Sequence, residues 1–234
     1  MDAWSNASPV SRTRTAEFMA AVYRWMAFGL ALTGLTAWAT ISTPSLLSAF
    51  YNVQNGHIVG VSGVFWVLGI AEVGLVFAFS AMFRRVSYPT AVAMFLVYAA
   101  LSGVTFSVYL LTFTSQSIAS TLFITGGAFF GLSLYATVTK KDLSSWRSFL
   151  IVGLVGVLIA SVVNIFLHSN AMQFVISCAG VVVFAGLTAY DTQKLRAMAN
   201  EADGKMALFG ALALYLDFIN LFIFLLQLLG RRRD

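Results

Sequence analysis

Nine acidic residues occur in this chain of 234, and three of them, Glu72, Asp191 and Asp217, fall inside or at the edge of long apolar runs. A charged group at the centre of a membrane helix costs about 2.5–3.5 kcal/mol on insertion scales. Such carboxyls must be protonated, paired, bound to a cation or turned toward water. Asp217 is the most informative. Gly210, Ala213, Asp217, Asn220, Phe224 and Gln227 follow the three-four spacing of one helix face, a small-and-polar stripe that should face neighbouring helices or a cavity. Asp191 lies three residues before Lys194 and has two readings. It is either an interfacial acid in a helix-surface ion pair or a partner for Asp217 across an antiparallel helix pair. Glu72, with Gly69 one turn earlier, is either a third carboxylate on a cation pathway through Glu72, Asp217 and Asn220, or a polar packing anchor.

Two carboxyls held together in a low-dielectric site share one proton near neutrality and titrate as a unit. Fully ionised, they attract a hard, oxygen-seeking cation such as Ca²⁺, so Asp191 and Asp217 are candidate transient calcium ligands. Protonation removes that charge. Their chemistry is that of a pH-sensitive gate. Arg84 and Arg85, about three turns beyond Glu72, are simplest as topology signals, although either could reach a carboxylate as a latch.

Other chemistries lack their residues. His57 and His168 are far apart and fall in loops, so no zinc cluster is expected. Cys178 is the single cysteine and reads as a small apolar residue. No glycine loop followed by Lys-Ser/Thr is present to cradle phosphate. Gly127 and Gly131 form a GxxxG pattern, which argues for helix contact. The Tyr190-Asp191 and Asp217 arrangement resembles that of presenilin-type proteases, but Tyr215-Leu216 stand where Gly-x-Gly would precede the aspartate. No Pro-Ala-Leu follows. The expectation is a protein that is not an enzyme and has no cofactor.

The elements that position these residues are membrane helices. The chain is 59% hydrophobic and 10% charged, against about 25% charged in a soluble domain. Lipid must supply the missing solvent. Apolar runs near Trp25–Leu47, Ile58–Met82, Thr90–Phe113, Ile118–Val138, Phe149–Leu167, Ala171–Tyr190 and Met206–Leu229 approach or exceed the ~20 residues that cross a ~30 Å hydrocarbon core. Period-2 alternation is absent, which disfavours a β-barrel. The first run begins only after Arg24 and is too long for a signal-peptide core. The fold expected is all-α: one seven-helix transmembrane domain over residues 16–234, preceded by a polar, disordered cytoplasmic tail over residues 1–15.

Charge orients the bundle. Arg12, Arg14 and Arg24 precede the first span, Arg84 and Arg85 follow the second, and Lys140, Lys141 and Arg147 separate the fourth and fifth. Lys194, Arg196 and Lys205 separate the last two, while the remaining loops carry no Lys or Arg. The positive-inside rule puts the N-terminus and these loops in the cytoplasm. A net charge of +5 therefore reports membrane orientation, not nucleic-acid binding. Arg231, Arg232 and Arg233 conflict with the rule if the seventh span crosses; its length favours crossing over a re-entrant path. A faint repeat links Leu32-Thr33-Gly34-Leu35-Thr36, Leu101-Ser102-Gly103-Val104-Thr105 and Ala185-Gly186-Leu187-Thr188.

Leu187-Thr188-Ala189-Tyr190-Asp191-Thr192-Gln193-Lys194 resembles the sixth-span signature of the Bax inhibitor (transmembrane Bax inhibitor motif) family. Leu214-Tyr215-Leu216-Asp217-Phe218-Ile219-Asn220-Leu221-Phe222 resembles its seventh-span signature, and Lys140-Lys141-Asp142-Leu143-Ser144 its loop before the fifth span. The similarity runs from Thr15 onward and is greatest to the bacterial inner-membrane branch. It implies a last helix at the bundle centre and a pH-dependent Ca²⁺ leak gated by Asp191 and Asp217. It also implies a second-span glutamate at Glu72 and an arginine latch. An ungapped match places that latch at Phe83, so Arg84 is the candidate. Bacterial relatives are linked to a different role, modulation of a membrane-bound protease. The two functional expectations are thus a calcium-permeable leak channel and a non-catalytic partner of a membrane protease or other complex.

Overall fold

The computed structural model describes residues 9–82 and 85–233, with side chains from Thr13 onward. Among them, seven helices are long and apolar enough to cross a bilayer. They are α1 (Pro9–Ser42), α3 (Gly63–Met82), α4 (Tyr88–Thr112), α5 (Ser115–Val138), α6 (Arg147–Leu167), α7 (Asn170–Met198) and α8 (Gly204–Leu229). A short α2 (Pro44–Phe50) and a hairpin of β1 (Tyr51–Gln54) and β2 (His57–Val61) join α1 to α3. The protein is an all-α polytopic membrane protein.

Local chemistry sets the helix ends. Pro44 and Pro89 sit in the first turns of α2 and α4, where a missing N–H is harmless. The Ser87, Thr114, Ser169 and Asp203 side chains accept backbone N–H groups at the starts of α4, α5, α7 and α8. His168 closes α6 in the left-handed conformation.

α8 is the hub, packing against α1, α4, α5 and α7. Its buried residues, from Ala207 to Leu226, occupy most of its circumference. α3 is the opposite case: Phe79 is its one buried residue, and it rests chiefly on α4. Trp66, Val67, Ile70 and Phe77 remain exposed, as do Phe149, Val152 and Phe166 of α6, apolar surfaces suited to lipid.

Several boundaries differ from expectation. α1 begins at Pro9, so residues 9–15 are helical where a disordered tail was expected; residues 1–8 lie outside the described residues. Arg14, Glu17 and Arg24 are exposed while Phe18, Met19, Val22 and Met26 are buried, which makes this part of the helix two-faced. α7 continues two turns past Tyr190, burying Thr192 and Leu195. Residues 58–62 belong to the hairpin and its exit, not to a span. The hairpin turns at Asn55-Gly56, both at positive φ (50° and 80°), the geometry of a type I′ turn. Its anchor is Tyr51, whose hydroxyl lies 2.6 Å from Ser107 Oγ of α4. Burial pushes the Tyr51 phenol up from its ordinary pKa.

The first two repeat segments face each other. A Cβ on Gly103 would lie 2.6 Å from the Thr33 carbonyl oxygen, so the absence of a side chain lets α4 touch α1. Gly127 and Gly131 do not make the helix contact their spacing suggested. They are exposed, and a Cβ at either would meet nothing within 4 Å. Gly69 is equally open.

α8 runs the full length of the bundle and is long enough to cross a bilayer. Its 26 residues span about 39 Å at ~1.5 Å per residue. The tail beyond it is fixed at the end of the bundle away from the basic loops. Arg232 forms an antiparallel β-bridge with Phe113, Thr114 N donates to Arg231 O (3.0 Å), and Arg233 N donates to Thr112 O (2.9 Å).

Candidate ion site between α7 and α8

Asp217 lies on the central helix and is only 4% exposed. Its Oδ2 is buried with no hydrogen-bond partner among the described residues. Asp191, half-buried on α7, is near enough to act electrostatically on Asp217, and Lys194 one turn further along acts on Asp191. The Lys194 ammonium sits over the Tyr190 ring, 5.9 Å from its centroid.

The rest of the α7 signature organises the basic end. Gln193 Oε1 accepts from Leu143 N (2.8 Å), and its Nε2 donates to Lys141 O (2.9 Å), fastening the loop before α6 beneath α7. Asp142 caps the following 3₁₀ turn (Leu143–Trp146) by accepting from Ser144 N (2.9 Å) and Ser144 Oγ (2.8 Å). These two donors hold the Asp142 carboxyl below its ordinary pKa.

Glu72 belongs to a second polar cluster. Its Oε2 accepts from Thr105 Oγ1 (2.9 Å), with Ser102 close by. Oε1 is buried without a partner among the described residues. Tyr98 and Tyr215 lie within electrostatic reach. Tyr215 reaches Thr33 Oγ1 (2.7 Å), which can donate its single proton to Ala99 O (2.9 Å) or Gly29 O (2.9 Å). With Thr33 donating to a carbonyl, the Tyr215 hydroxyl donates to Thr33.

Tyr215 and Asp217 are two residues apart, about 200° around the helix. The Glu72 cluster and the aspartate pair therefore address different faces of α8. Asp191 lies within electrostatic range of Asp217, and Glu72 is not among the charges that act on either. No group of three or more His, Cys, Asp or Glu suited to a metal occurs among the described residues. Asn220 turns back on its own helix, its Nδ2 donating to Leu216 O (2.8 Å). Arg84, the candidate latch, lies outside the described residues, while Arg85 is exposed. His57 and His168 are exposed, and Cys178 is a free thiol.

Beyond the aspartates, toward the end that carries the chain's C-terminal tail, an apolar layer fills the interface between α7 and α8. Phe224 stacks on Phe184 (centroids 5.8 Å apart), flanked by Val183, Leu221, Ile176 and Val157. Gly180 supplies the space: a Cβ there would sit 2.5 Å from the Phe224 ring. Past this layer polar groups return, with Gln173 Nε2 donating to Gln227 Oε1 (2.8 Å) and Ser177 Oγ to the same oxygen (3.0 Å). Phe184, Gly180 and Gln173 had no signal in the sequence, since their roles come from helix register, whereas Phe224 and Gln227 belong to the small-and-polar stripe of α8. Thr33 and Ser102 did have one: both fall in the small-and-hydroxyl repeat.

A buried aspartate on a central last helix, facing a second on the helix before it, is the arrangement expected of the resemblance noted above. Residues 15–234 match the family described as inhibitor of apoptosis-promoting Bax1. The chain belongs to this Bax inhibitor family. Inner membrane protein YbhL of Escherichia coli K12 is 40% identical over 223 residues, covering 92% of each chain. An uncharacterized protein of Caulobacter vibrioides is 40% identical over 224 residues, 93% of this chain and 90% of its own. An uncharacterized membrane protein of Streptococcus pyogenes is 32% identical over 219 residues, 92% of this chain and 93% of its own. Membership of the Bax inhibitor family thus extends over nearly all of the described bundle.

Proposed function

We propose that the protein is a non-catalytic, pH-sensitive leak channel permeable to Ca²⁺, gated by Asp191 and Asp217. It would reside in the inner membrane, as the name of the Escherichia coli relative states for that protein, with its N-terminus and basic loops in the cytoplasm. The observation carrying this reading is the unpartnered Asp217 carboxylate oxygen, buried at the bundle centre within reach of the Asp191 charge. A packing role would favour a fully hydrogen-bonded polar group, because an unsatisfied buried one is costly. A gate needs a group that can change partners.

Protonated or proton-sharing carboxyls are compatible with closely packed helices. Two ionised ones repel each other and attract a divalent cation. The Phe184–Phe224 layer is the barrier such a change would have to open, since an apolar constriction stops ions by excluding water. Glu72 and Asn220, outside the aspartate pair in this closed arrangement, enter the cation pathway only after α8 moves.

The test is Ca²⁺ entry into liposomes containing the purified protein, followed from pH 6 to 8 as the window of roughly neutral titration. Asp217→Asn and Asp191→Asn should flatten the profile. Unchanged profiles in both would remove the reading. Modulation of a membrane protease ranks second, because it gives the buried carboxyls no task. A stable protease complex isolated from native membranes, with zero flux at every pH, would reverse that order.

A further inference from the structure

Two features at the end of the bundle away from the basic loops have no role in the leak. The first is a cleft. α1 and α5 both pack on α8 and meet each other nearer the basic end, where the Tyr23 ring stands edge-on to Phe129 (6.5 Å) and Phe129 to Phe218 (5.6 Å). Beyond those rings they part. A cavity of about 320 Å³ opens between them, walled by Leu30 and Gly34 of α1, Leu110 of α4, Ile118 and Leu122 of α5, and Phe222 of α8. Its lining is almost wholly apolar, and Gly34 presents no side chain to fill it. From Leu30 to Ala37, both in its wall, is about 10 Å along α1, within the ~15 Å depth of one leaflet's hydrocarbon.

The second feature is the basic tail. Arg231, Arg232 and Arg233 are exposed and sit on the α4–α5 corner. Arg231 N donates to Ser117 Oγ (2.9 Å), the residue before Ile118 of the cleft wall. Arg233 donates from its guanidinium to Ser115 Oγ (3.2 Å). Apart from Asp234, which lies outside the described residues, no Asp or Glu falls in the segments at this end: residues 43–62, 113–117, 168–170 and 230–234. Three positive charges thus stand beside the mouth of an acyl-sized cleft, on the side where the charge rule disfavours them. Basic groups at the head-group level beside an apolar groove between helices suit an anionic lipid.

We propose that this cleft binds one acyl chain of an anionic phospholipid from the adjoining leaflet, with the lipid phosphate held by the Arg231–Arg233 guanidinium groups. The full-length protein in detergent is incubated with equal amounts of palmitoyl-oleoyl phosphatidylglycerol and phosphatidylcholine, and bound lipid is counted by native mass spectrometry. Wild type should retain phosphatidylglycerol preferentially, with roughly a fivefold loss of preference for each arginine changed to glutamine. The triple lysine variant should keep the preference. Gly34→Leu, which fills the cleft, should lower binding of both lipids, and Leu122→Trp at an exposed wall position is the second variant should Gly34→Leu fail to fold. Three results would each overturn the proposal: an unchanged lipid ratio in the triple glutamine variant, full lipid binding by a folded cleft-filling variant, or glycerophosphoglycerol, which has no acyl chains, binding as well as the intact lipid.

Discussion

Replacing Phe224 with alanine separates the apolar layer from the carboxyls it seals. The Phe224 ring is 8% exposed, stacks on Phe184 and occupies the space left by Gly180. In water such a truncation removes both transfer and packing energy. Inside a bilayer the transfer part largely vanishes, because lipid tails are as apolar as the core. The cavity part remains: about 80 Å³ of lost ring at about 24 cal/mol per Å³ is roughly 2 kcal/mol. If all of it held the layer shut, the leak would rise at most about 30-fold, since each 1.36 kcal/mol is tenfold in rate. Ca²⁺ entry into liposomes at fixed pH measures this. Phe224→Leu, which keeps most of the volume, should stay near wild type. Phe222→Ala, in the separate cluster with Phe113 and Leu226, is the control for general loosening. A folded Phe224→Ala protein with wild-type flux, or equal flux from Phe224→Ala and Phe222→Ala, would refute the layer as the barrier.

Two further outcomes follow from the polar contacts. Tyr215→Phe loses one hydrogen bond to Thr33 and should cost about 1 kcal/mol, whereas Thr33→Val strands the buried Tyr215 hydroxyl and should cost about 1–3 kcal/mol. Denaturation in mild detergent ranks them, and the reverse order would contradict the donor assignment. Asp142, held below its ordinary pKa by two Ser144 donors, contributes stability that is present above its unfolded value and lost as pH falls through the lowered folded value. The Ser144 amide resonance should titrate with a midpoint below the ordinary Asp value of 3.8 and should not titrate in Asp142→Asn.

Span number, fold class and the burial of Asp217 were legible because lipid imposes simple rules on length and charge. What hydropathy could not read was which face each residue takes. The first turns of α1 carry Arg14, Glu17 and Arg24, so an apolar average rejects them, yet Phe18 and Val22 between those charges are fully engaged in the core. The hairpin did have a signal in Asn55-Gly56, masked by the apolar residues of β2. Glu72 and Asp217 looked alike as mid-span acids. Their separation is a matter of helix rotation, which puts Tyr215 toward Thr33 and Asp217 on another face. The same limit hid Phe184, which gains meaning only from its contact with Phe224 of the α8 stripe.

The aspartate pair is tested most directly by one titration: Ca²⁺ flux into proteoliposomes as a function of pH for wild type, Asp191→Asn and Asp217→Asn. A steep profile near neutrality in wild type, flattened by either carboxamide, is the outcome required if a shared proton governs the gate. A wild-type profile that survives both substitutions would place the pH dependence elsewhere and contradict the assignment.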